Sequence, residues 1–168
     1  KMHAEARDLE LKLLSDANGY SDHYMIETFA EGRIAVLSIE GPLLAHQLPL
    51  RMFGMPVTTY GEIQQAVHQL RSDPQIQKVV LRVNSPGGSS FDMSRTGRLL
   101  DRLGVEKELS TYTDNQMQSA GYWLGVAGAK LVADESAQLG SIGVYTEMVS
   151  NAERNRAEGR EVRVIRAG

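Results

Sequence analysis

Short apolar runs alternate along this chain with stretches in which apolar residues recur at helical spacing. The run RIAVLSIEGPL is apolar at strand length and closes on Gly41-Pro42, which predicts a buried strand over 33–39 entering a turn. QKVVLRV predicts a second buried strand over 77–83. Between them Ile63, Val67 and Leu70 fall on one helical face over 60–72, with Thr58 or Thr59 available as cap and Asp73-Pro74 as stop. The segment Asn84-Ser85-Pro86-Gly87-Gly88 reads as a sharp turn into a helix over 89–103, with Met93, Leu99, Leu100 and Leu103 inward. A short strand over 109–113, a helix from Ser119 to Ala127 and a strand over 130–133 follow. Residues 142–149 read as extended, 150–158 as helical and 161–166 as extended again. At the other end, residues 4–15 suit a helix with Leu9, Leu11, Leu13 and Leu14 on a loose stripe. Residues 16–31 read as a polar, turn-like linker. Residues 45–57, with Pro49, Gly54 and Pro56, read as apolar and irregular.

Repeated strand–helix alternation predicts an α/β domain with a mostly parallel sheet and right-handed crossovers. The 168 residues suffice for one domain with its own core, and 42% hydrophobic with 23% charged residues is ordinary for a globular chain. A net charge of −3 with scattered Lys and Arg does not call for nucleic acid or an anionic membrane as partner. The absence of cysteine excludes disulfides, thiolate metal sites and a Cys nucleophile, and fits a reducing compartment. No apolar run reaches the roughly 18–20 residues that span a bilayer. The charged opening KMHAEARDLELKLL does not read as a signal peptide, and a chain starting at Lys1 is expected to come from a longer gene product.

Three segments have the composition to carry chemistry. In 84–88, two glycines after a buried strand leave backbone N–H groups able to approach a ligand, although a plain strand-to-helix turn would look the same. The phosphate-loop Lys-Ser/Thr is missing, so a nucleotide cradle is not indicated. In Gln118-Ser119-Ala120-Gly121-Tyr122-Trp123, a serine stands at a predicted helix N-terminus, where negative charge is stabilised and the Ala120 N–H can donate to an oxyanion. The plainer reading of Ser119 is a helix cap. In Gly140-Ser141-Ile142-Gly143-Val144, Ser141 is a second candidate nucleophile, but no helical pattern follows it.

Taken together, VVLRVNSPGG, then SAGYWLGVAGAKLVA, then LGSIGV resemble peptidase family S49, the signal peptide peptidase A-like family, over roughly residues 33–168. RIAVLSIEGPL and VTTYGEIQQAV…DPQIQKVVLRVNSPGG resemble its phage branch, which processes the prohead or scaffold during capsid maturation. The resemblance implies a ClpP/crotonase-like fold, a spiral of repeated ββα units assembled into homo-oligomeric rings. It implies an N-terminal helix and linker over 1–31 and a peptidase domain over 32–168, truncated on its C-terminal side. It implies a serine endopeptidase with Ser119 as nucleophile and with Gly88, Gly87 beside it and Ala120 around the oxyanion. The substrate would be a peptide or protein bound as an extended strand after Gly88. Gly140 to Val144 would support the site, and Tyr122 and Trp123 would pack the helix. No cofactor and no metal are implied. The phage reading places the protein in the host cytoplasm; the alternative is a signal-peptide-degrading enzyme of the bacterial envelope.

A serine hydroxyl needs a base. His3, His23, His46 and His68 all precede Ser119, whereas a ClpP-type triad has its His downstream. The S49 family uses a Ser–Lys dyad, and burial lowers a lysine pKa enough for it to accept a proton. The family's lysine would fall just beyond Gly168. Lys78, Lys107 and Lys130 match no such position. The expectation is a chain with nucleophile and oxyanion hole but no base, inactive alone. Two other readings stand beside it. One is a non-catalytic ring-forming assembly module on the same fold. The other is a crotonase-like acyl-CoA enzyme, for which Asp92, Asp114 and Asp134 are the nearest carboxylates and form no evident acid–base pair.

Overall fold

In a computed structural model, residues 25–46, 56–144 and 152–159 are described. The expected helix over 4–15 and the extended stretch over 161–166 lie outside them, as does most of 45–57 and of 142–149. Nine strands run in chain order: β1 (Ile26–Phe29), β2 (Ile34–Glu40), β3 (Leu43–Leu44), β4 (Thr58–Thr59), β5 (Lys78–Asn84), β6 (Glu108–Thr113), β7 (Gln116–Gln118), β8 (Lys130–Ala133) and β9 (Gln138–Gly140). The helices among the described residues are α1 (Tyr60–Ser72), α2 (Met93–Glu106), α3 (Ala120–Gly125) and α4 (Ala152–Ala157).

The main sheet has the order β1-β2-β5-β6-β8, parallel except for β1, which pairs antiparallel with β2. Period-2 alternation sets its two faces. Ala35, Leu37 and Ile39 of β2, Val79, Leu81 and Val83 of β5, and Leu109 of β6 are fully or almost fully buried and share one core with the helices. Ile63, Val67 and Leu70 of α1 and Leu100 and Leu103 of α2 close over them. On the opposite face Val36, Val80 and Tyr112 form a smaller cluster with Phe29 and Val132. Each buried Leu or Val contributes on the order of 1.5–3 kcal/mol by leaving water, so the larger cluster dominates stability.

β2 is followed by the short strands β3 and β4 and then α1, β6 by the short strand β7 and then α3, and β5 by the 85–88 turn and then α2, so strand–helix units repeat along the chain. The short strands form a second layer: β3 pairs with β4, and β7 with β9, all parallel. Single bridges Leu43↔Gly88 and Ser85↔Met117 tie the 85–88 turn into this layer from both sides. This is the mixed α/β, mostly parallel architecture expected from the chain's alternation.

Four local readings change. Residues 26–29, read as linker, form β1, an edge strand whose Ile26 and Phe29 are half-buried; Met25-Ile26 and Phe29 keep no clean alternation. The short strands β7 and β9 have too few apolar residues to signal themselves. The second helix starts at Met93 rather than 89, because the Ser89 Oγ accepts from the Phe91 N–H (3.1 Å) and Asp92 adopts a positive φ of 64°. The third helix ends at Gly125 rather than 127. There the Thr111 hydroxyl donates to the Gly125 carbonyl at 2.6 Å, and the chain turns down onto β6.

By contrast, α1 starts where its sequence says. Thr59 is its cap, with a reciprocal capping box: its Oγ1 accepts from the Glu62 N–H, and the Glu62 carboxylate accepts from the Thr59 N–H at 2.8 Å.

Candidate active site

The segments singled out by sequence meet at the C-terminal ends of the parallel strands, where open α/β sheets bind their ligands. The 85–88 turn follows β5. Ser119 follows β7 and caps α3 with φ 49° and ψ −121°, a backbone region that L-residues seldom enter. Its N–H donates to the Gly140 carbonyl (2.8 Å), and its carbonyl accepts from the Trp123 N–H (3.0 Å). The strained serine is therefore held on both sides, by β9 and by its own helix. The Gly140-to-Val144 segment touches the site through that Gly140 carbonyl. Ser141 is exposed at φ 51°, and residues 142–144 after it are not helical.

Glycine is required where these loops touch. Gly87, at φ 94°, lies against the serine: a Cβ there would stand 2.6 Å from the Ser119 Cβ and 2.9 Å from the Ala120 N. Gly88 lies against β3, where a Cβ would fall 2.1 Å from the Leu43 carbonyl oxygen. The helix α3 packs through its small residues: Gly121 sits on Ser85 and Gly125 on Met117. Larger residues at either position would lift the helix, and Ser119 with it.

The hydrogen bonds separate the two turn glycines. The Gly87 N–H donates to the Ser85 Oγ (3.1 Å), and the Gly87 carbonyl accepts from the Leu43 N–H (2.8 Å). The Leu43 carbonyl in turn accepts from the Ser89 N–H (2.8 Å). Among the described residues, the N–H groups of Gly88 and Ala120 and the Ser119 hydroxyl have no hydrogen-bond partner. Two unpaired backbone donors, one following Ser119 and one following the glycine packed against it, are of the kind that stabilise an oxyanion formed when a hydroxyl attacks a carbonyl. Only one donor comes from the helix, and α3 has just six residues, so a single N–H rather than a long helix dipole is what it offers.

Sequence reasoning missed Tyr60. It is fully buried at the start of α1, and its hydroxyl donates to the carbonyl of Ser89, the residue after Gly88. Burial, and then the nearby Asp92 carboxylate, push its hydroxyl up from 10.0 to about 12. A folded pKa above the unfolded one means that this contribution is intact below pH 10 and is lost as pH rises through about 12. Urea titrations from pH 9 to 12 are expected to show wild type losing roughly 2 kcal/mol more than Tyr60→Phe over that range.

The side chains weighed as bases are elsewhere. Lys78 and Lys107 sit at the N-terminal ends of β5 and β6, the opposite end of the sheet. Lys78 pairs with Glu108 (3.3 Å), and the Lys107 ammonium donates to the carbonyls of Asp73 and Ile76, both at 2.7 Å. Lys130 opens β8 on an exposed face, and His46 and His68 are exposed. The Asp134 carboxylate accepts from the Ser136 N–H and hydroxyl, and Asp114 is exposed. Asp92 offers its backbone carbonyl to Thr96. Among the described residues no acid–base pair of carboxylates assembles at the turn. Among the described residues no cluster of metal-ligating side chains is present, and no helix is long and apolar enough to cross a membrane.

Comparison with known proteins gives the same outline. The model of peptidase family S49 matches residues 101–168. The chain is 32% identical over 127 residues to Protease 4 of Salmonella typhi, covering 73% of this chain and 19% of that protein. It is 26% identical over 135 residues to Capsid assembly protease C of Escherichia phage lambda, covering 80% and 30%. A protein named Na(+)/H(+) antiporter NhaA from Brucella abortus is 29% identical over 140 residues, covering 82% and 18%. The chain thus spans less than a third of the length of each of these relatives. In fold it is similar to an enoyl-CoA hydratase/isomerase family member, at a TM-score of 0.50 and 21% identity over 68% of this chain and 49% of that one.

Proposed function

We propose, proceeding from the fact that this chain belongs to peptidase family S49, that it carries the nucleophile and oxyanion-binding half of a serine endopeptidase. The observation that carries this reading is the pair of unpaired N–H groups, Gly88 and Ala120, beside a serine at φ 49°. In the proposed reaction the Ser119 Oγ attacks the scissile carbonyl carbon as its proton passes to a neutral lysine amine. The carbonyl oxygen becomes an oxyanion and accepts from the Gly88 and Ala120 N–H groups. Collapse breaks the C–N bond, the lysine returns its proton to the leaving amine, and water then hydrolyses the acyl-enzyme. Gly87 supports the turn rather than donating, since its N–H is held by Ser85.

The lysine belongs to the stretch following Gly168 in this reading. No lysine among the described residues lies at the site end of the sheet, which supports it. The peptide substrate enters as an extended strand beside 88–91, and copies of the chain assemble into a ring. Similarity to the phage capsid assembly protease favours a role in prohead or scaffold processing in the host cytoplasm; similarity to Protease 4 keeps degradation of signal peptides in the bacterial envelope as the second reading. The unit architecture is shared with enoyl-CoA hydratases, but the chemistry is not proposed for this chain, because Asp92, Asp114 and Asp134 assemble no acid–base pair at the turn.

The test is cleavage of a denatured protein substrate by the chain extended past Gly168. Cleavage that disappears in Ser119→Ala, with unchanged circular dichroism, supports the reading. Equal cleavage by both would overturn Ser119 as the nucleophile, and none by either correctly folded protein would leave a non-catalytic ring-forming assembly module instead.

A further inference from the structure

Ser85 is fully buried, and its side chain contacts three successive strand–helix units at the site. Its hydroxyl donates to the Gly41 carbonyl at the end of β2 (2.7 Å) and accepts the Gly87 N–H of its own turn (3.1 Å). Its backbone bonds to β7 on both sides, through Ser85 N–H to the Gln116 carbonyl (2.8 Å) and Gln118 N–H to the Ser85 carbonyl (2.9 Å). A Cβ on Gly121 of α3 would lie 3.0 Å from the Ser85 Cβ, so the helix behind Ser119 rests on this residue. The Gly41 carbonyl has its own position fixed, because the Gly41 N–H donates to the Asn84 carbonyl (2.8 Å) and Gly41 holds φ 71°.

We infer that Ser85 is a positioning residue for the oxyanion site: by taking up the Gly87 N–H and anchoring it to the Gly41 carbonyl, it leaves Gly88 as the donor aimed at the substrate. This rests on the reading of Ser119 as nucleophile. The physical argument is one of competition. Two adjacent glycines at φ 94° and 156° have wide backbone freedom. Without an acceptor for the Gly87 N–H, the peptide plane between Pro86 and Gly87 can rotate to seek another partner, and that rotation pulls on the next plane, in which the Gly88 N–H is held only through the Gly87 carbonyl's bond to the Leu43 N–H. With the Ser85 hydroxyl in place, both its donor and its acceptor are committed and the turn has one arrangement. Ser85 acts only through the turn, and its hydroxyl has no proton to spare for chemistry.

The test is the kinetics of fluorophosphonate labelling at Ser119 in the chain extended past Gly168, for wild type, Ser85→Ala, Ser85→Cys and Thr96→Ala. A misplacement of about 1 Å at a reacting centre costs about 100-fold. Ser85→Ala is expected to lower kinact by about that factor while leaving KI within about threefold. Ser85→Cys, which keeps the volume but donates and accepts weakly, is expected to stay nearly as slow. Thr96→Ala removes a buried bond between α1 and α2 (Gln64 to Thr96, 2.9 Å) away from the turn, and is expected to lose stability with kinact unchanged. An unchanged kinact in Ser85→Ala, or full recovery in Ser85→Cys, would overturn the inference and leave Ser85 as a space-filling residue. Absence of labelling in folded wild type would overturn the nucleophile reading itself, and this inference with it.

Discussion

Ser119→Gly is expected to raise the stability of the chain by about 1–2 kcal/mol while abolishing its reactivity. At φ 49° and ψ −121° the serine occupies backbone space that glycine enters freely and other residues do not. The strain is sustained because Ser119 is bonded at both ends, to Gly140 and Trp123, and packed against Gly87. Such a geometry lifts the hydroxyl clear of its own backbone and leaves the following N–H unpaired. Ser119→Ala keeps the strain and removes only the oxygen, so it is expected to leave stability within about 0.5 kcal/mol of wild type. In the extended chain both substitutions should cut peptide cleavage by up to about a million-fold, the scale seen when a serine nucleophile is lost. Equal stability of Ser119→Gly and wild type in urea would contradict the assignment of strain. Retained cleavage in either variant would contradict the assignment of the nucleophile.

Gly87→Ala is expected to damage both folding and chemistry. The added methyl would meet the Ser119 Cβ at 2.6 Å, the Gln118 carbonyl at 2.9 Å and the Ala120 N at 2.9 Å. Two of those three neighbours are backbone and the third is anchored to it, so none can swing aside as a long side chain would. The positive φ of 94° adds its own penalty of roughly 1–3 kcal/mol. Loss of about 3 kcal/mol or more in urea is expected, with labelling of Ser119 slowed by about 100-fold in whatever fraction stays folded. A mild Gly87→Ala would show that the turn and the serine are not in the contact described.

The architecture was legible where burial is two-sided. β2 and β5 are apolar runs because the sheet is covered on both faces in its middle, and the turn chemistry at Gly41-Pro42 and Asp73-Pro74 marks their ends. The short second layer was not legible. β7 is Gln116-Met117-Gln118, with one buried residue, and its pairing to β9 depends on where the long strands have already placed it. The edge strand β1 reads as linker in the sequence for the same reason: half-buried residues beside turns at Ala30, Glu31 and Gly32 carry little periodicity. At the site, the motif order pointed to Ser119, Gly87, Gly88 and Ala120 together, and the fold brings the turn and the serine into contact. Which glycine has the free N–H could not be read from letters, because it depends on the Ser85 hydroxyl and on the Leu43↔Gly88 bridge. A serine inside an otherwise apolar strand end was the available clue, since a buried hydroxyl must find partners. Tyr60 gave a weaker one: an aromatic at the first position of a capped helix, whose hydroxyl needed an acceptor once buried.

The central claim is that Ser119 is a nucleophile with its oxyanion donors assembled and its base lying beyond Gly168. The most direct test is intact-mass analysis with peptide mapping after fluorophosphonate treatment of this chain and of a form extended by about twenty residues, long enough to add a further strand and turn. Labelling at Ser119 in the extended form, and none in the chain ending at Gly168, is the predicted result. Labelling of neither, with both shown to be folded, would contradict the nucleophile assignment; equal labelling of both would contradict the placement of the base.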